Sequence, residues 1–296
     1  MHTIDDSAAQ GGTRRRGPGV ALAIAAALGA AAVLLGAHWI RRADSPRQDY
    51  TLETIELRGS GAGPAAATRC AVPMTVLDPP AGVTPVGTAV VLHGLAANRR
   101  VMLYLGQDFA GHGMRTYLLD LPGHGDNREA FSFARAELCA TAVVETLEKN
   151  HAIDPQTTIL IGHSMGAAIA IRMADRQPMA ATIAISPAPM VLPQRMPANL
   201  LVVAGQFDIG AVKRQAQTLA GAAEGSRTRP DDFAQKRAFE LDWVPLATHT
   251  SSLANRTVAH RAELWAMQAL LPSVDAKTLA LNLDLATYDT FSYGRR

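Results

Sequence analysis

The sequence predicts an α/β protein, with a mostly parallel sheet covered by helices on both faces and an apolar N-terminal segment set apart from it. Three observations carry this. Short runs such as "TAVVLHG" (88–94), "TTILIG" (157–162) and "NLLVVAG" (199–205) are continuously apolar, as strands buried on both faces must be. Strand and helix patterns alternate along the body of the chain. Polar and glycine-containing turns follow the apolar runs, and in open parallel sheets the functional site lies at the carboxyl ends of the strands.

The elements follow in order. "TLETIEL" (51–57) alternates as a half-exposed strand does, and "AVPMTVL" (71–77) is a second strand. "TAVVLHG" precedes a helical stretch near 98–110. "RTYLLD" (115–120) precedes a helix over 131–149. "TTILIG" leads through Ser164 into another helix. "ATIAIS" (181–186) and "NLLVVAG" are buried strands, a helix spans 210–222, "FELDWVP" (239–245) is a last strand, and 253–270 has amphipathic helical spacing. The body therefore runs from 50 to 271, with a tail over 272–296.

Ahead of it, residues 1–18 are a basic segment. Residues 19–40 hold no Asp, Glu, Lys or Arg, and a helix of that length spans about 33 Å, enough for a bilayer core. Arg14, Arg15 and Arg16 flank one side, Arg41 and Arg42 the other, and Trp39 marks an interface. A cleaved signal peptide is the rival reading, but the apolar run is long and no small-residue cleavage site closes it. The expectation is a transmembrane anchor, a polar linker over 41–49, and a single-pass membrane protein with its folded domain on the extracytoplasmic side. The flanking arginines are balanced and do not themselves set the orientation.

The net charge is +2, and the body has no long basic run, so nucleic acid is not expected as a partner. Cys70 and Cys139 lack metal-ligand spacing. They can pair in an oxidising compartment or serve as small core residues, and the second reading is the plainer one. A glycine-rich stretch, "ELRGSGAG" (56–63), leads into Pro64 with no Lys-Ser/Thr and no clear helix, which argues against a nucleotide-binding domain.

The turns after the strands collect the chemistry. They read His93-Gly94-Leu95, "LPGHGDN", "GHSMG", Gln206-Phe207-Asp208 and Leu246-Ala247-Thr248-His249. "GHSMG" (162–166) is a serine between two glycines, preceded by a strand pattern and followed by a helical one, as a nucleophile elbow requires. With "LHG", "DLPGHG", a later Asp and a final His in the order Ser, Asp, His, the stretch from Tyr50 to Leu271 resembles the α/β-hydrolases of the serine esterase, lipase and aminopeptidase-like branch.

That resemblance implies a role for each residue. Ser164 is the expected nucleophile. His249, in a loop after a strand, is the expected base, whereas His260 falls within an amphipathic helix. Asp208, at the end of a buried strand, is preferred as the acid over Asp175, Asp231, Asp232, Asp242 and Glu224. The expected oxyanion donors are the amides of Leu95 and Met165. His93 is expected to orient the oxyanion loop, and His163 to point away from Ser164. The implied reaction is hydrolysis of a carboxylic ester, with thioester or amide as neighbours, acting on a small-molecule substrate without metal or organic cofactor. The alternative is a membrane-anchored, non-catalytic binding module on the same fold. The connection "PAPMVLPQRMPA" (187–198) is too short for a helical lid. Met190, Val191, Leu192 and Met196 are candidates to line an acyl pocket, and 222–238 is a candidate covering loop.

Overall fold

The computed structural model of the protein describes residues 50–58, 69–226 and 238–272. The expected anchor at 19–40, the basic segment and linker around it, most of the candidate covering loop and nearly all of the tail lie outside the described residues. Among the described residues, no helix is long and apolar enough to cross a membrane.

Eight strands form one sheet: β1 (Tyr50–Arg58), β2 (Arg69–Leu77), β3 (Gly87–Leu92), β4 (Met114–Leu119), β5 (Thr158–His163), β6 (Ala181–Ile185), β7 (Asn199–Gly205) and β8 (Ala238–Val244), in the order β1-β2-β4-β3-β5-β6-β7-β8. β1 and β2 pair antiparallel, β2 joins β4 antiparallel, and every pairing from β4 through β3 to β8 is parallel. The helices are α1 (Leu103–Gly111), α2 (Phe133–Lys149), α3 (Met165–Arg176), α4 (Gly210–Ser226) and α5 (Arg256–Leu270). These are the elements expected from sequence, with ends shifted by a few residues.

The continuous apolar runs have a simple cause. Successive side chains of a strand point to opposite faces, and here both faces are covered. Ala89, Val91, Ile159, Ile161, Leu201 and Val203 pack with α1 and α5 on one face. Val90, Leu92 and Leu160 pack with α2 and α3 on the other. Further along that second face, Leu200, Val202 and Ala204 pack with α3 and α4. Apart from Asn199 at the start of β7, every position of these three strands is buried, so none needs to be polar.

Cys70 and Cys139 are joined in a disulfide with Cα atoms 5.7 Å apart, tying β2 to α2. The plainer reading of two unpaired core residues is therefore corrected. The bond sits inside the core beneath that second face, with both residues buried, so pairing and packing are both satisfied.

Candidate active site

Parallel strands deliver their turns to one sheet edge, and the residues singled out from sequence meet there. β5 ends at His163 and α3 begins at Met165, which leaves Ser164 as the single residue of the turn. Its backbone has φ 52° and ψ −112°, a region that side chains other than glycine enter at a cost of about 1–3 kcal/mol. Tight packing on both sides holds it there. A Cβ on Gly162 would lie 2.2 Å from the carbonyl of Gly166, and one on Gly166 would lie 2.2 Å from the carbonyl oxygen of Leu92. A serine at a helix N-cap ordinarily spends its oxygen on an amide of the first turn. Ser164 makes no such bond, and its Oγ lies 3.0 Å from His249 Nε2 instead.

His249 lies in the loop after β8, and its Nδ1 is 2.9 Å from Asp208 Oδ1. Asp208 follows β7 and is buried. The two loops are tied by backbone: Phe207 N donates to Ala247 O at 2.9 Å, and Gln206 N donates to Val244 O at 2.9 Å. Gly205 permits that approach, because a Cβ there would be 2.3 Å from Ala247 O. Burial alone would push the Asp208 carboxyl up. Hydrogen bonds from His249, from Ser186 and from the Ile209 amide outweigh it and hold the group below the ordinary carboxylate range. An ionised Asp208 requires the proton of His249 on Nδ1, which leaves Nε2 free to accept from the Ser164 hydroxyl.

The two amides selected from sequence flank this group. Met165 is the first residue of α3, where an amide has no intrahelical acceptor. Leu95 shares a peptide plane with the Gly94 carbonyl. His93 Nδ1 donates to that carbonyl at 2.8 Å, while His93 Nε2 accepts from Leu121 N at 3.0 Å. In a trans peptide the N–H and C=O point in opposite directions, so anchoring Gly94 O fixes the direction of the Leu95 amide. Burial, the largest influence, pushes the fully buried His93 down to about 4, which keeps it neutral and able to do both. A Cβ on Gly94 would come within 3.2 Å of Ser164 Cβ, so this loop lies directly against the serine.

"DLPGHG" forms the neighbouring turn. Asp120, fully buried, accepts from the amides of Arg99 and Asp126, each at 2.8 Å, and from the Arg99 guanidinium. Its histidine, His124, packs on His93 with ring centroids 5.0 Å apart.

His163 makes no bond to Ser164; its Nε2 lies 2.9 Å from the carbonyl of His249, and the two rings are 4.9 Å apart. The expected lining of the acyl pocket needs correction. Met190 and Met196 pack into the core against α3 and α4, because the loop after β6 folds inward there. Val191 and Leu192 remain exposed. His260 and the alternative acids Asp175 and Asp242 are on α3, α5 or β8 rather than in this cluster. Sequence reasoning missed Ser186 and Ser252. Their one sequence signal is position: Ser186 directly follows β6, and Ser252 lies in a short 3-10 helix three residues after His249.

Among the described residues, Glu129 with Cys70 and Cys139 is the one cluster with metal-ligand proximity. Both sulfurs are bonded to each other, so it has no thiolate to offer.

The alpha/beta hydrolase family model matches residues 89–288, more than half of the chain. A pimeloyl-(acyl-carrier protein) methyl ester esterase of Hamiltonella defensa is 34% identical over 89 residues, covering 30% of this chain and 31% of that protein. The chain spans about a third of the length of the curated relatives it matches. Among solved structures, a serine hydrolase without lid from Xanthomonas campestris superposes with a TM-score of 0.54 at 18% identity, over 77% of this chain and 96% of that one. Est1E of Butyrivibrio proteoclasticus does so with a TM-score of 0.53 at 13% identity, over 73% and 98%. At such identities these likenesses speak for the fold, and they agree with the strand order and the family match: the chain belongs to the alpha/beta hydrolase family.

Proposed function

We propose that the protein is a serine hydrolase that cleaves a carboxylic ester through an acyl-enzyme. The observation that carries this reading is His249 standing between two partners, Ser164 Oγ at 3.0 Å and Asp208 Oδ1 at 2.9 Å. In the proposed reaction His249 Nε2 takes the Ser164 proton as Oγ bonds to the carbonyl carbon. The carbonyl oxygen gains the charge and is met by the amides of Leu95 and Met165. His249 passes the proton to the departing alkoxide as the C–O bond breaks, and the alcohol leaves. Water then repeats the sequence on the acyl-serine, releasing the acid and restoring Ser164. Asp208 stays ionised and stabilises the imidazolium.

The rim supports an apolar acyl group. Leu95, Phe207, Ile209 and Leu246 are all more than half exposed, and all lie in the turns after β3, β7 and β8, at the same sheet edge as Ser164. Only residues 186–198 separate β6 from β7, too few for a helical lid. This favours short or medium acyl esters and a rate without a jump at a lipid–water interface.

The apolar stretch 19–40 and the buried Cys70–Cys139 disulfide support a single-pass protein with its hydrolase domain in an oxidising, extracytoplasmic compartment.

The test is labelling with a fluorophosphonate, alongside turnover of p-nitrophenyl esters of increasing chain length, in wild type and Ser164→Ala. Expected are labelling and turnover in wild type and loss of both in the variant. A wild-type protein that neither labels nor turns over any ester, while binding an acyl ligand, would establish the non-catalytic binding module instead.

A further inference from the structure

His249 is carried by a loop, where no sheet ladder holds it, and its side chain is about one-fifth exposed. Something else must fix it between Asp208 and Ser164. Its backbone carbonyl accepts two hydrogen bonds, from His163 Nε2 at 2.9 Å and from Ser252 Oγ at 2.9 Å. Ser252 Oγ lies 3.3 Å from Ser186 Oγ, and Ser186 Oγ donates to Asp208 Oδ2 at 2.6 Å. Asp208 returns to His249 through Oδ1. The contacts close a ring that leaves His249 by its carbonyl and re-enters by its imidazole.

Counting protons fixes the directions. A carboxylate only accepts, so the single Ser186 proton goes to Asp208. The Ser252 proton then goes to the His249 carbonyl, the closer of its two partners, which leaves the 3.3 Å contact between the two serine hydroxyls without a proton, as packing alone. His163 must hold its own proton on Nε2 to donate to the same carbonyl. Burial, the largest influence, pushes His163 down to about 4, so the ring is neutral and Nδ1 is a bare acceptor. That Nδ1 is buried with no hydrogen-bond partner, facing Gly94, where a Cβ would stand 2.8 Å from it. An unsatisfied buried acceptor costs about 1–3 kcal/mol. An apolar side chain of similar volume would fill the space without that cost. What the imidazole adds is the Nε2 proton on His249.

Ser186 carries a similar cost. Its φ is 48°, in the left-handed region, and its amide is held by Val203 O at 2.7 Å. This conformation turns its hydroxyl back toward Asp208. Ser186, Ser252 and His163 are all buried, so water does not compete for these bonds.

We propose that Ser186, Ser252 and His163 are positioning residues: His163 and Ser252 hold the backbone carbonyl of His249, Ser186 holds Asp208, and together they keep the imidazole aligned between Asp208 and Ser164. This rests on the reading of His249 as the general base. The titratable groups facing His249 are Asp208 after β7 and His163 at the end of β5, with His93 acting in turn on His163.

The experiment uses the full chain and p-nitrophenyl butyrate, and measures kcat, KM and the pH profile of kcat/KM. Ser186→Ala should lower kcat by about 10- to 100-fold with KM held within about twofold, as a misplaced base does. Its acid limb should move to higher pH. Without the Ser186 proton, more of the Asp208 charge falls on the bond to His249 and holds the imidazolium more strongly. Ser252→Ala should lower kcat less, because His163 still holds the carbonyl. His163→Leu should lower kcat by about tenfold, and His163→Gln should restore most of it, since an amide N–H can stand near the place of Nε2.

A wild-type kcat with an unmoved acid limb in Ser186→Ala overturns the proposal. So does equal impairment of His163→Leu and His163→Gln, which makes that side chain packing alone. Should a variant unfold, the downfield proton resonance of His249 Nδ1 in Ser252→Ala reads the alignment of the imidazole without any substrate, and an unmoved resonance is equally fatal. Failure of the esterase reading looks different: it is turnover that survives Ser164→Ala, or turnover that wild type lacks.

Discussion

Gly166→Ala should disable the site through backbone geometry alone. The added methyl carbon would stand 2.2 Å from Leu92 O, 2.6 Å from Leu92 C and 2.7 Å from His93 O. Non-bonded heavy atoms rest near 3.5 Å, so the start of α3 and the end of β3 must part by roughly 1 Å. All three contacts are backbone, and no rotamer relieves them. The parting segments carry the groups of the proposed reaction: Ser164 and Met165 lie on one side, His93, Gly94 and Leu95 on the other. A displacement of about 1 Å costs on the order of 100-fold in rate, or about 2.7 kcal/mol of barrier. Overpacking also costs about 1–3 kcal/mol of stability, which for a domain of this size lowers Tm by roughly 2–10 °C. The assay is kcat/KM on p-nitrophenyl butyrate with a circular-dichroism melt. Gly221→Ala is the control, because a Cβ there meets nothing within 4 Å and alanine favours a helix by about 0.5–1 kcal/mol. Its activity should be unchanged and its Tm equal or higher. A Gly166→Ala enzyme with wild-type activity would refute the account of the elbow as a close backbone approach.

Three further outcomes are expected. Replacing Cys70 and Cys139 together by Ala opens a cross-link of 69 residues' separation. The loop-entropy relation puts the loss near 4 kcal/mol; an unshifted urea midpoint would contradict it. His249→Ala should lower kcat by about 10³-fold or more and Asp208→Asn should be comparably severe, because the amide holds the wrong tautomer. His260→Ala should change little, and the reverse pattern would move the base to α5. Burial foremost, and Glu263 next, raise Asp108 from the ordinary 3.8 to about 7. A carboxyl whose folded value is raised is charged more readily when unfolded, so it costs stability as pH climbs from about 4 to 7. Asp108→Asn should therefore raise the urea midpoint at pH 8 more than at pH 4.5; an equal effect at both would refute the assignment.

Much of the fold was legible because the central strands face core on both sides. Apolar runs such as "VVL" before His93 and "ILI" before Gly162 have one reading in that setting, and alternation with helices then orders them. The meeting of Ser164, Asp208 and His249 was legible for a related reason: parallel strands bring their turns to one edge, and the resemblance to the α/β-hydrolases supplied the chain order Ser, Asp, His by which the three were chosen. Other features had no such signal. Whether Cys70 and Cys139 meet depends on β2 passing over α2, which spacing does not encode. A serine after a strand has no periodicity, so Ser186 reads as a turn residue until Asp208 is seen beside it. Turn geometry directs His163 away from Ser164, but no signal in the sequence shows that the loop carrying His249 comes round to meet its ring.

The strain in the backbone follows the same division. Among the described residues, five other than glycine have positive φ, and four of them, Ala96, Ser164, Ser186 and Leu246, lie in the turns after β3, β5, β6 and β8. Each conformation costs about 1–3 kcal/mol, and those of Ala96, Ser164 and Ser186 follow strands buried on both faces. The cost is therefore borne where the adjoining structure is most firmly determined. These turns aim the Leu95 amide, the Ser164 hydroxyl, the Ser186 hydroxyl and the His249 loop at one place. Relaxed turns would satisfy the fold equally well and leave those groups pointing apart, so the distribution of strain is itself an argument that this edge of the sheet is where the protein works.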